Sequence, residues 1–129
     1  MGKVIWEEDA EIGTRVRAIL AGLGWKHVDE KRIFTFRSSG SSARALARIW
    51  GLPRVWQLAL KVPSCYILEV ISERFNKLSY EEQEKVLIHE LLHVPKSFSG
   101  SLVPHRGRGR RQHIAREKIE RLFNLLNNR

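Results

Sequence analysis

His89-Glu90-Leu91-Leu92-His93 constrains this chain more tightly than any other stretch. On a helix, two histidines four residues apart stand on one face, one turn above the other. Their imidazoles can then grip one metal ion together, with the intervening glutamate beside it and close to the water the metal would carry. Two nitrogen donors and an adjacent carboxylate are the parts a zinc hydrolase needs. The stretch therefore demands a helix, and it demands that one particular face of that helix be reachable from solvent.

The flanking residues agree with both demands. Ser79 followed by Glu82 is a capping-box start, and Pro95 disfavours helical backbone at Val94. A metal-binding helix over 80–93 is predicted, from Tyr80 to His93. Stepping about 100° per residue puts Val86, His89, Glu90 and His93 in one arc of roughly 100°. Leu87, Ile88, Leu91 and Leu92 fill the other side. The first arc is suited to chemistry and the second to a core.

Length bounds what surrounds this helix. The chain has 129 residues, enough for one modest core, so a single domain over 1–129 is expected. No run of apolar residues is long enough to span a bilayer, and no membrane partner is expected. The segment from Met1 to Asp9 is acidic and lacks a signal-peptide core. A lone cysteine, Cys65, cannot form an internal disulfide, which fits a cytoplasmic location; a small buried hydrophobe is its expected role.

Periodicity and punctuation give the remaining elements. Glu7 to Leu23 reads as an amphipathic helix with Ile12, Val16, Ile19, Leu20 and Leu23 on one face, ended by Gly22 and Gly24. Ile33 to Phe36 reads as a strand, and Ala43 to Trp50 as a short helix stopped by Gly51 and Pro53. Val55 to Leu60 and Tyr66 to Ile71 read as strands separated by a Pro63-Ser64 turn, although the first of these segments also suits a helix. After the metal helix, a loop rich in Ser, Gly and Arg leads to a last helix, about Arg111 to Leu126. The order predicts an α+β fold: a small zincin-like domain with helices packed on a short, mostly antiparallel sheet.

A catalytic zinc site takes three protein ligands and leaves one position for water. His89 and His93 are two. Downstream, His105, His113, Glu117 and Glu120 are candidates for the third. Glu90 is the expected general base, and Tyr66, Arg106 or Arg108 the candidate donors to a developing oxyanion. Tyr66 to Ile71, the strand before the metal helix, is the expected edge for an extended peptide substrate. Closure of the site by His89, His93, His105 and His113 together would instead make it structural.

Residues 86–105, VLIHELLHVPKSFSGSLVPH, carry a resemblance that is more specific than the helix alone. The segment resembles the phage/archaeal metallopeptidase family, related to SprT-like proteases and to minimal gluzincin-type zincins. The shared parts are His89 to His93, Val94-Pro95, the Ser/Gly-containing loop from Ser97 to Ser101, and Pro104-His105. The upstream segment YILEVISERFNKLSYEEQEKV is similar too, so the likeness covers about residues 55–115. It implies Zn²⁺ held by His89, His93 and His105, with Glu90 as base, in a peptidase acting on peptide or protein substrates. SprT-like members have a glycine just before the third histidine, where this chain has Pro104.

A second class of function is carried by charge. The net charge is +9, and the stretch from Lys96 to Arg129 holds nine Lys/Arg against two Glu. Arg106, Arg108, Arg110 and Arg111 form a compact basic run with interspersed glycines, suited to a nucleic-acid backbone. The alternative function is therefore a basic nucleic-acid-binding module with a structural zinc site and no peptidase activity. Trp6, Trp25, Trp50 and Trp56 are expected in the core, with stacking on bases as their other use.

Overall fold

The structure, a computed structural model, describes residues 2–104 and 110–128, with the backbone alone for 110–115. Strand β1 (Ile5–Glu8) leads into helix α1 (Ala10–Leu23), and β2 (Ile33–Ser39) follows a short 3₁₀ turn. Strand β3 (Ala47–Gly51), helix α2 (Arg54–Leu60) and strand β4 (Tyr66–Ile71) come next. Helices α3 (Ser72–Phe75), α4 (Tyr80–Leu91) and α5 (Arg110–Asn127) complete the chain. The fold is α+β: among the described residues, five helices accompany one four-stranded sheet.

The sheet order is β1-β2-β4-β3. The outer pairs, β1 with β2 and β3 with β4, are antiparallel, and the central pair, β2 with β4, is parallel. A parallel pair needs a long crossover, supplied here by residues 40–65, which include β3 and α2. In β4 the side chains of Tyr66, Leu68 and Val70 face the helices and are fully buried. They meet Ile12, Val16, Ile19, Leu87, Ile88 and Leu91 in one core cluster. Helix α1 packs on β2, α4 on β3, and α5 lies across α1 and α4.

Two adjacent elements exchange the types expected of them. The segment read as the helix from Ala43 to Trp50 contains β3, and the segment read as the strand from Val55 to Leu60 is α2. Pairing decides the first. Ala47, Ile49 and Gly51 stand opposite Val70, Leu68 and Tyr66 of β4, so burial against a neighbouring strand outweighs local helix preference. Gly51 is required there, since a Cβ would come within 2.2 Å of the Gly100 carbonyl oxygen. Pro53 ends the strand and caps α2.

Smaller corrections follow the same physics. The N-terminal helix starts at Ala10 rather than Glu7, because Asp9 caps it by accepting from the Ile12 amide at 2.9 Å and because Ile5–Glu8 pairs with β2. Strand β4 lies inside the sheet, so Tyr66 to Ile71 offers no edge, contrary to the expectation; the edges are β1 and β3. Cys65 is half-buried. Of the tryptophans, only Trp25 packs on the core, while Trp6, Trp50 and Trp56 are about half exposed. No helix among the described residues is long and apolar enough to cross a membrane.

Candidate metal centre

Helix α4 begins as its sequence dictates. Ser79 Oγ accepts from the Glu82 amide at 3.1 Å, and Glu82 Oε1 accepts from the Ser79 amide at 3.0 Å, a complete capping box. Gln83 ties the helix to its surroundings, accepting from Arg15 of α1 at 2.7 Å and donating to the Phe75 carbonyl at 3.0 Å. The apolar arc of Leu87, Ile88 and Leu91 is fully buried. With that arc in the core, His89 and Glu90 face a cleft of about 280 Å³ between α4 and α5, walled by Leu46, Arg116, Ile119 and the Lys85–Glu120 ion pair at 2.9 Å.

Regular helix stops at Leu91, not at His93. The His93 amide bonds to the Glu90 carbonyl at 3.1 Å, a tightened final turn. His93 is held by the following loop instead. Its carbonyl accepts from the Val103 amide at 2.7 Å, and its Nδ1 bonds the Val103 carbonyl. A carbonyl only accepts, so Nδ1 carries the proton and Nε2 keeps the lone pair a metal needs. The His89 and His93 rings lie 5.3 Å apart, and one potential ligand atom from each of His89, Glu90 and His93 falls within 4.8 Å of the others. Two imidazole nitrogens with a carboxylate beside them fit a divalent metal ion. Burial pushes the Glu90 carboxyl up to about 7.

The loop that reaches His93 is tied down by residues for which the sequence offers other roles. Tyr66, a candidate oxyanion donor, is fully buried; its hydroxyl accepts from the Gly100 amide at 2.7 Å and donates to the Ser101 carbonyl at 2.8 Å. Burial pushes that hydroxyl above its ordinary pKa, with the Gly100 hydrogen bond opposing. Tyr66 therefore fastens the loop, and both of its oxygen's partners lie there. Ser64 donates to the Phe98 carbonyl and Gln57 to the Ser99 carbonyl. Gly100, at φ +98, fits its backbone against Leu52. The Ser/Gly composition of the loop signals a turn but gives no hint that a tyrosine, a glutamine and a serine from earlier elements fasten it.

The remaining candidates divide by place. His105, Arg106 and Arg108 lie outside the described residues, and of His113, Arg110 and Arg111 only the backbone in α5 is described. Glu117 and Glu120 are exposed on α5 and are not members of the His89-Glu90-His93 group.

Two histidines and a glutamate that could hold a metal ion thus meet at the C-terminal end of α4 in an α+β fold. The family model for Putative phage metallopeptidase matches residues 4–127, and the chain belongs to that family. No curated protein and no solved structure matches the chain.

Proposed function

We propose that the chain is a zinc-dependent peptidase in which His89, His93 and His105 hold the metal and Glu90 is the general base. The observation that carries this reading is the convergence of His89, Glu90 and His93 within 4.8 Å at the C-terminal end of α4, where His89 and Glu90 line a cleft. His105 is favoured over the acidic residues of α5 by the chain itself. Val103 is bonded to His93 through both backbone and ring, and His105 follows two residues later.

When bound, a zinc ion supplies electrostatic polarisation of the scissile carbonyl and makes water acidic enough to act near neutral pH. The protein's residues do the rest. Glu90 accepts the proton of the attacking water and delivers it to the departing amine, and its half-buried position strengthens that exchange. The Val103 carbonyl holds the His93 ring in one tautomer and orientation. Strand β3 is the sheet edge beside α4, and an extended peptide adding to it would run past Leu46 into the cleft.

The test is elemental analysis of the purified chain and of His105→Ala, with hydrolysis of an unstructured protein measured on the same samples. One zinc per chain with hydrolysis in the wild type, and loss of both in the variant, is expected. Full metal retention by His105→Ala would move the third ligand elsewhere. A wild type that takes up no divalent ion would end the peptidase reading.

A further inference from the structure

Helix α2 carries its polarity inside out. Gln57 is 4% exposed and points inward, donating from Nε2 to the carbonyls of Leu52 and Ser99 at 2.8 Å each. At 3.6 residues per turn, Val55 and Ala59 stand about 160° from Gln57, with Trp56 and Leu58 to either side. Val55, Trp56, Leu58 and Leu60 are 68%, 55%, 61% and 56% exposed. The helix cannot roll to hide them without stripping the Leu52 and Ser99 carbonyls of the buried Gln57 donor. An apolar ridge held outward in this way is a surface that something covers.

Charge and side-chain chemistry choose the occupant. Arg54 and Lys61 bracket α2, which itself carries no Asp or Glu, whereas Arg37 and Arg48 are paired with Asp9 and Glu69 in the sheet. A second copy would bring like charges face to face. Val55, Leu58 and Leu60 have nothing to offer a nucleotide base, which binds by stacking on aromatic rings. An anionic bilayer offers hydrocarbon for the aliphatic ridge, an interfacial zone for Trp56 and phosphates for the two cations.

We propose that α2 docks this protein on the surface of an anionic lipid bilayer, with Val55, Trp56, Leu58 and Leu60 entering the headgroup boundary and Arg54 and Lys61 meeting lipid phosphates. At seven residues the helix engages one leaflet and does not cross. Through Gln57 and Ser99 it rests on the loop that continues to Val103 and His93. Docking would thus hold the cleft beside the membrane, although it needs neither the metal nor Glu90.

Vesicle flotation with the full chain tests this, comparing phosphatidylglycerol–phosphatidylcholine vesicles with pure phosphatidylcholine. Binding to the anionic vesicles alone is expected, with Trp56 fluorescence quenched by brominated lipid in a chain whose other tryptophans are replaced by phenylalanine. The pair Trp56→Ser, Leu58→Ser should weaken binding at least about tenfold, given the value of each buried CH₂. Arg54→Gln should weaken it about fivefold. Glu90→Gln should bind like the wild type, which separates this result from the fate of the peptidase reading. Circular dichroism melting confirms that the exposed-site variants remain folded. Absence of anionic-vesicle binding would overturn the proposal. So would binding unchanged by the Trp56, Leu58 pair, which would assign it to the basic C-terminal region. Concentration-dependent dimerisation or oligonucleotide binding lost in that pair, without vesicle binding, would assign the ridge to a second copy or to nucleic acid and equally overturn it.

Discussion

Helix α4 sends Leu87, Ile88 and Leu91 into the core and turns His89 and Glu90 toward a cleft. Helix α2, tied to the loop from Ser97 to Val103 through Gln57 and Ser99, buries Gln57 and leaves Val55, Trp56, Leu58 and Leu60 in solvent. Both are rich in apolar residues, yet in one the apolar side is the foundation and in the other it is the outer surface. The contrast separates two uses of hydrophobicity: holding a chemical group in place, and offering a face to something else. It also implies that equivalent substitutions in the two helices should have very different consequences.

The largest difference is expected at the polar residues. Glu90→Gln should reduce hydrolysis of an unstructured protein by about 10²–10⁴-fold, the range for loss of a general base. Activity equal to the wild type in zinc-loaded samples would remove Glu90 from the reaction. The same change should not cost stability in the metal-free chain. Burial holds the Glu90 carboxyl at about 7, above its ordinary 4.5, so ionising it disfavours the folded state as pH rises from the lower value to the upper. Melting curves should therefore favour Glu90→Gln over the wild type at pH 8 and show no difference at pH 4.

Truncating the apolar sides should come next. Leu87→Ala should cost about 2–5 kcal/mol, as for other fully buried leucines, whereas Leu58→Ala should stay within about 0.5 kcal/mol. Urea denaturation of both variants measures this directly. Comparable losses would mean that α2 contributes to the core after all, and the contrast would fall. Between these lies Gln57→Leu. A hydropathy pattern alone would call it an improvement, but it deprives the Leu52 and Ser99 carbonyls of their donor and should cost about 1–3 kcal/mol. A neutral or stabilising result would show that the inside-out arrangement is not enforced by those bonds.

The same contrast explains what was legible in the sequence. Helix α4 was readable because local signals agree: the Ser79–Glu82 capping box, the apolar arc and Pro95 all belong to one short segment. The grouping of His89 and Glu90 with His93 is legible in the same segment, although His93 stands past the end of the helix. The segment around α2 reads as either a strand or a helix, because its apolar residues mark the outside and so imitate a buried strand. The strand β3 was missed for a different reason. Its pairing with β4 and the fit of Gly51 against Gly100 are contacts between residues far apart in the chain. The fastening of the His93 loop by Tyr66 and Gln57 is likewise a long-range fact, and nothing near residue 100 announces it.

A last, smaller test concerns the start of α1, where local and distant contacts meet in one residue. Asp9 accepts from the Ile12 amide as a helix cap and pairs with Arg37 of β2 at 2.8 Å. Burial alone would raise its carboxyl. The hydrogen bonds from Ile12, Arg37 and Glu11 and the Arg37 charge together outweigh that and hold it below the ordinary 3.8. Because the folded value is depressed, the resulting stability is fully present above the unfolded value and disappears as pH falls through the folded one. Asp9→Asn keeps a competent cap while removing the charge, so its cost isolates the pairing with Arg37. That cost should be about 1 kcal/mol at pH 7 and should vanish in melts taken near pH 2. An equal deficit at both pH values would mean that the cap, and not the ion pair, sets the entry of α1 onto the sheet.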